Sequence, residues 1–182
     1  MKLLDAINLI LPMFGEATIT RIDRKHPTVA LILDNLNAVK MTVLAEGWWF
    51  NTSNTKLYPN PEGIISTPAD LLSIESRKPI EARGAVLVDF EKDSRIFKEP
   101  VECSISYDMA FEDLPYSVAN YITHRTALVA YTKDYGYEDL YQVLAVGEQK
   151  AYQKMLAEHL RKKKYSSTRS PYASKYFSAL RG

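Results

Sequence analysis

With 182 residues, 46% hydrophobic and 25% charged, the chain has the size and composition of one globular domain with room for an insertion, which excludes a disordered or collagen-like protein. Because the chain has a single cysteine, Cys103, an intrachain disulfide and a multi-thiolate metal site are excluded. The apolar runs are far shorter than the ~20 residues that cross a bilayer, so neither a transmembrane segment nor a signal peptide is predicted. The 23 Lys and Arg nearly balance the 22 Asp and Glu, but no acidic residue follows Glu158, so a body of net charge −6 precedes a tail with seven basic residues.

Two helices are predicted in the first 47 residues. Apolar residues recur at helical spacing from residue 2 to about 12, and Pro12 with Gly15 ends this helix. A second helix begins at His26-Pro27, because proline suits the first helical turn, where its missing N–H is not needed. It continues for about five turns until Gly47, which favours a left-handed cap.

Between residues 48 and 108 the helical periodicity is replaced by short β-rich runs separated by proline and glycine. The runs are residues 48–50, 56–58, 63–66, 71–74, 85–88, 95–97 and 101–107. Proline lacks the N–H that a sheet ladder needs, so its position between the runs is typical of short strands with tight connections. This segment is predicted to form a small antiparallel β-domain.

Helical periodicity returns after Asp113-Leu114-Pro115 and predicts a third helix up to Gly136 and a fourth from residue 140 to about 164. In the fourth helix Gly147 and Ala151 are small and one turn apart. This spacing predicts either the close approach of a neighbouring helix or a weak point in the helix itself.

Helices on both sides of the β-rich segment imply that the helices pack together and that the segment between them projects as an outgrowth. The predicted fold class is α+β: an antiparallel helical bundle with an inserted small antiparallel β-domain and an extended C-terminal arm. The predicted parts are residues 1–47 and 111–164 for the bundle, 48–110 for the inserted β-domain and 165–182 for the arm.

No familiar catalytic or phosphate-binding motif occurs in the sequence, and neither a cofactor nor a metal is predicted. Cys103 alternates with polar residues in a predicted strand and is interpreted as a buried structural thiol. The adjacent acids Glu112-Asp113 and Glu138-Asp139 leave a wall-degrading hydrolase open as a third candidate function. Favourable charges at a positive helix end are the simpler explanation of these pairs.

Trp48, Trp49 and Arg125 are candidate interface residues. An alternating strand at 48–50 places Trp48 and Phe50 on one face and Trp49 on the other, so at least one large ring needs cover, either between the helices and the β-domain or on another subunit. Arg125 lies on the apolar stripe of the third helix, where a lone charge is costly. It either extends its guanidinium to solvent or forms a salt bridge with a neighbouring helix or subunit.

The C-terminal arm interleaves basic and aromatic side chains. The candidate partner-binding residues of the arm are Arg169, Tyr172, Lys175, Tyr176, Phe177 and Arg181. Such a segment can bind nucleic acid electrostatically, dock on a protein through aromatic anchors, or stay solvated.

The order of the elements and three short motifs resemble the tail tubular or head-to-tail adaptor (connector) family of short-tailed bacteriophages. Phe14-Gly15-Glu16-Ala17 is similar to the family's Ile-Gly-Glu-Pro, and Gly47-Trp48-Trp49-Phe50-Asn51 is similar to its Gly-Trp-Thr-Phe-Asn. In the segment from Met109 to Tyr121, Leu114-Pro115 opens the third helix as Met-Pro does in relatives.

The resemblance implies a structural virion protein of the tail, not an enzyme, that is assembled in the host cytoplasm and has no membrane partner. In that family about twelve copies form a ring beneath the portal protein, the tail nozzle protein attaches below, and double-stranded DNA passes through without sequence recognition. The arm then reaches the portal, and Trp48, Trp49 and Arg125 serve subunit or domain interfaces. The alternative from the residues alone is a nucleic-acid-binding protein that uses its basic C-terminal tail.

Overall fold

The computed structural model describes residues 1–137 and 139–163, without the side chain of Asp139. Within these residues the helices are α1 (Leu3–Ile10), α2 (Pro27–Ala45), α3 (Tyr116–Tyr135) and α4 (Asp139–Lys162). The strands are β1 (Thr52–Leu57), β2 (Leu71–Glu75), β3 (Ile80–Arg83), β4 (Val86–Asp89) and β5 (Val101–Tyr107). Short 3-10 turns follow α1 at Leu11–Phe14 and precede α3 at Phe111–Asp113. The predicted α+β class is confirmed, and each predicted helix is present.

α3 is the central helix, and the other three helices pack around it. Towards α1, Thr123 Oγ1 lies 3.6 Å from Met1 Sδ. Towards α2, Lys133 Nζ donates to Asn35 Oδ1 at 2.6 Å. Towards α4, the ring centroids of Tyr121 and Tyr152 are 5.3 Å apart. Because its neighbours surround it, α3 is buried on most of its circumference and not along one stripe.

α2 is long and apolar enough to cross a membrane by length and composition, which the interrupted apolar runs of the sequence did not indicate. Half of the apolar 18-residue stretch within α2 is buried inside the fold. The buried residues include Asn35 and Lys40, whose side chains bond to Lys133 and Asp108. In this fold α2 is therefore a core helix with paired polar groups.

The strands form two antiparallel sheets. β5 is the middle strand of a three-stranded sheet in the order β1–β5–β2, and β3 pairs with β4 as a separate hairpin. In the larger sheet Thr52 lies opposite Ser106 and Leu57 opposite Val101. A small apolar core lies among the strands and consists of Ile65, Ile80, Leu87, Val101 and Cys103. Cys103 is buried as predicted, and burial raises the pKa of its thiol.

Some predicted strands are wrong. Residues 48–50 form a turn, because the left-handed Gly47 reverses the chain and the Asn51 side chain accepts a hydrogen bond from Trp48 N–H. Residues 63–66 and 95–97 form no strand, and the bridge at Ser66 is isolated. β3 was not predicted, because its Glu-Ala-Arg residues are polar or small and become a strand only through pairing with β4.

α4 approaches α3 closely at Gly147. A Cβ at Gly147 would lie 3.3 Å from His124 Nδ1, tighter than ordinary van der Waals contact. Ala151, one turn later, is 3% exposed. The structure therefore supports close helix approach, and not a weak point, as the reason for these small residues.

We expect Gly147→Leu to lower the free energy of unfolding by about 1–3 kcal/mol, because the added side chain must displace His124 or separate α3 from α4. Urea denaturation measures this change. Gln149→Leu, at an exposed position of the same helix, is the matched control and should change stability by less than about 0.5 kcal/mol. Equal losses in both variants would contradict the close approach.

Candidate functional site

The chain leaves the helical part after α2 and returns to it after β5, and these two crossings lie side by side. Gly47 has a φ of +78°, and a Cβ there would lie 2.8 Å from Ser106 Oγ on β5. The Tyr107 N–H donates to Asn51 O at 3.1 Å, and its hydroxyl donates to Phe50 O at 3.2 Å. The outgoing and returning segments therefore form one junction, residues 47–51 with 106–109.

Asn51 is fully buried at the centre of this junction. Its Nδ2 donates to Leu44 O at 2.8 Å and to Tyr107 O at 3.0 Å, and its Oδ1 accepts the Trp48 N–H at 2.8 Å. A carboxamide has both donors and acceptors, so one side chain satisfies a carbonyl of α2, an amide of the turn and a carbonyl at the end of β5.

Side-chain donors from the junction and from β2 also bind the last carbonyls of α2. Trp48 Nε1 donates to Val43 O at 2.7 Å, and Ser73 Oγ donates to Ala45 O at 2.8 Å. With the Asn51 bond to Leu44 O, three successive carbonyls at this helix end receive a side-chain donor. Two of these carbonyls also accept a backbone N–H at the helix cap. Carbonyls at a helix C-terminus carry partial negative charge, so the added side-chain donors stabilise the docked β-rich part.

An ion pair between a buried lysine and a partly exposed aspartate makes a further connection between α2 and the returning segment. Lys40 is 8% exposed, and its Nζ lies 2.7 Å from Asp108 Oδ1 and donates to Met109 O at 3.0 Å. The carboxylate and the carbonyl replace the water that the ammonium loses on burial. The residues after β5 are therefore fixed to the side of α2 as well as to its end.

The two tryptophans lie in the junction but differ in burial. Trp48 is 5% exposed within the helical core, whereas Trp49 is partly buried beside Phe50. The ring of His159, near the end of α4, meets both indoles edge-on, with centroids 5.1 Å from Trp48 and 5.8 Å from Trp49. Trp48 therefore covers the boundary between helices and β-rich part, one of the two predicted interpretations, and a subunit contact at Trp49 stays a prediction.

Burial and the nearby charge of Lys163 lower the pKa of His159. Its Nδ1 is buried without a hydrogen-bond partner among the described residues. Protonation would place an unpaired N–H donor there, so the neutral ring is the form that fits between the indoles and α4.

Arg125 connects α3 to α4. Its Nη1 lies 3.2 Å from Glu148 Oε1, with the Arg125 side chain 47% and the Glu148 side chain 15% exposed. Tyr121 also bonds to Glu148, and burial together with this carboxylate raises the pKa of Tyr121 to about 12. Burial raises the pKa of Glu46, and the charge of Arg125 opposes that effect. The predicted salt bridge to a neighbouring helix is present, and a subunit contact through the exposed half of Arg125 stays a prediction.

The remaining candidate residues are those of the C-terminal arm and of the two acidic pairs. The six arm residues and Glu138 lie outside the described residues, so the arm and the second acidic pair stay predictions. Glu112 accepts the Leu3 N–H at 3.3 Å, and Asp113 is exposed. Within residues 1–137 and 139–163, no three His, Cys, Asp or Glu side chains are placed to hold a metal ion.

Sequence reasoning missed the polar residues that hold the junction: Asn51, Lys40 and Ser73. A polar residue soon after a helix-ending glycine is a local signal of capping, and this signal could have identified Asn51. No local signal exists for Lys40, whose carbonyl acceptor at Met109 is 69 residues away in the chain.

We expect Asn51→Ala to lower the free energy of unfolding by about 2–4 kcal/mol, because it leaves buried groups at Leu44, Trp48 and Tyr107 without this partner. Chemical denaturation followed by far-UV circular dichroism measures the loss. Asn54→Ala, on the exposed part of β1, removes the same group and should change stability little. A small effect at both positions would show that the junction does not depend on this amide.

Acidification should destabilise the fold through His159. Because the pKa of His159 is lowered in the folded chain, the unfolded chain binds a proton at a higher pH than the folded chain does. The free energy of unfolding therefore falls as the pH drops from about 6.5 through the folded-state pKa. His159→Phe keeps a ring against the indoles and should reduce the loss of unfolding free energy between about pH 7 and pH 5. The pKa of His124 is also lowered, by burial and then by Lys154, and its contribution remains in both proteins. Identical pH profiles would refute the role of His159.

A family model described as tail tubular protein matches residues 4–165. The chain is also 30% identical over 176 residues to tail tubular protein A of Klebsiella phage KP34, and the match covers 95% of each chain. The family match extends from α1 to the end of α4 and includes the whole junction. It ends where the predicted basic arm begins.

Proposed function

Because the chain belongs to the tail tubular protein family and is thus a structural component of a phage virion tail, we propose that it is the head-to-tail adaptor. In this role about twelve copies form a ring that joins the portal protein to the tail nozzle protein and surrounds the DNA channel. The observation that carries the proposal is the family match over residues 4–165, which includes both the helices and the β-rich part.

The junction supports a division of labour between these parts. The helices form the ring, and the β-rich part projects from it as an outgrowth. Asn51 attaches the outgrowth through buried hydrogen bonds, and the Lys40–Asp108 pair adds an ion pair whose ammonium is largely shielded from solvent. An outgrowth attached in this way keeps its direction when the next component of the tail binds to the ring.

The charge distribution supports the proposed roles of body and arm. Residues 1–158 carry a net charge of −6, which repels phosphates and lets double-stranded DNA pass without sequence recognition. The arm, residues 165–182, binds the portal through Arg169, Tyr172, Lys175, Tyr176, Phe177 and Arg181. Assembly takes place in the host cytoplasm, and no membrane partner is proposed.

Deletion of residues 165–182 should abolish attachment to the portal and leave the melting temperature of the remaining chain nearly unchanged. Electron microscopy of the purified full chain, alone and with purified portal, should show rings, and the deleted chain should leave portals bare. Replacing Tyr172, Tyr176 and Phe177 by alanine tests the aromatic anchors separately from the charges. Full-length monomers that ignore the portal under all conditions would defeat the adaptor proposal.

Deletion of residues 161–182, which removes all seven basic residues after Glu158, separates the adaptor from the nucleic-acid-binding alternative. That alternative predicts tight binding to duplex DNA that falls steeply with salt and is lost with the basic tail. The adaptor predicts weak DNA binding before and after the deletion. Filter binding at two salt concentrations distinguishes the two functions.

A further inference from the structure

One exposed stripe of α4 combines apolar and basic side chains. Its members recur every three or four residues and are all exposed: Val143, Val146, Lys150, Lys154, Ala157 and Arg161. The two valines are 65% and 52% exposed. Glu148 and Glu158 lie off this stripe, where they bond to Arg125 and Ser117 of α3. The stripe is therefore positively charged at its centre and apolar at its start.

A different side of α3 carries α1. Tyr121 and His124 meet α4, whereas Thr123 meets Met1 beside α1. Thr123 points about 200° from Tyr121 and about 100° from His124 around the helix axis. On this side Asp5 and the 52% exposed Leu9 lie one turn apart on α1. Glu112 and the exposed Asp113 lie next to the start of α1, together with one exposed base, Lys2. This α1 surface is therefore acidic at its start and apolar further along.

The two surfaces also match along the direction of α3. α4 runs opposite to α3, since Glu158 bonds Ser117 near the start of α3, whereas Glu148 bonds Arg125 further along. α1 runs with α3, since Met1 meets Thr123 and Phe14 meets Tyr131. The lysines of the stripe therefore lie near the level of the acidic end of the α1 surface, and the valines lie near the level of Leu9.

We propose that the α4 stripe of one copy docks on the α1 surface of the next copy in the ring, an inference that rests on the proposed adaptor function. A ring repeats one heterologous contact, so each copy must carry two different complementary surfaces that point in different directions. A second copy fits the stripe because the same chain carries, on a different side of α3, a surface of opposite charge and matching apolar position. The valines and Leu9 form the apolar centre of this contact, and the surrounding charges determine which surfaces pair and how they align.

Reciprocal charge reversal tests this contact in the full chain. Lys150→Glu with Lys154→Glu makes the stripe acidic, and Asp5→Lys with Asp113→Lys makes the α1 surface basic. Each double variant alone should lose rings under conditions in which the unaltered chain forms them. Mixed in equal amounts, the two variants should regain rings that contain both chains in a one-to-one ratio, because every stripe then meets a surface of opposite sign. Native mass spectrometry and electron microscopy measure both results.

Lys25→Glu with Lys98→Glu is the control for the stripe variant. It changes the net charge by the same amount as that variant, at exposed positions elsewhere, and should leave the rings intact. Circular dichroism and melting temperature verify that each variant folds. Rings formed equally by all variants would overturn the proposed contact and leave the adaptor function standing. If reversal of the stripe leaves the rings but removes binding to duplex DNA, the stripe faces the channel and the proposed contact is wrong. Absence of rings for the unaltered chain, with and without portal, would overturn the adaptor function itself.

Discussion

The carbonyl groups at the end of α2 are the constraint on which the relation between the two parts of this protein depends. A helix end leaves backbone acceptors without partners, and burial makes each unpaired acceptor costly. Here Trp48, Asn51 and Ser73 donate to successive carbonyls, and all three belong to the turn or to the β-rich part. If the β-rich part left this position, these side-chain donors would lose their acceptors, so its placement follows from hydrogen-bond satisfaction as much as from apolar contact.

The sequence predicts the elements whose cause is local and fails where the cause lies elsewhere in the chain. The four helices follow from apolar periodicity, and β5 follows from strict alternation over residues 101–107. β3 and the Lys40–Asp108 pair depend on partners that folding brings together, so no local pattern marks them. The turn at 48–50 was read as a strand because its residues are aromatic, whereas Gly47 and Asn51 on either side determine its shape.

For the candidate site, the sequence selected two tryptophans that lie in the junction but not the polar side chains that hold it together. Trp48, Trp49 and Arg125 were selected as large or charged residues in unexpected places. The structure gives all three internal partners: His159 for the two indoles and Glu148 for Arg125. Internal pairing does not exclude a subunit contact, but it removes the need for one at Trp48. The proposed subunit contact instead uses the α4 stripe and the α1 surface, which helical periodicity alone treats as ordinary solvated faces. They become informative only when α3 places them on different sides of one body.

The same junction also holds the end of α4. His159 lies within the last turn of α4 and meets both indoles of the turn that follows α2. α4 in turn is held to α3 by Glu148 and Glu158 and by the close approach at Gly147. The four-helix part and the β-rich part therefore meet at Trp48 and Trp49. One short turn thus fixes how the two parts are oriented relative to each other, because its side chains contact both of them.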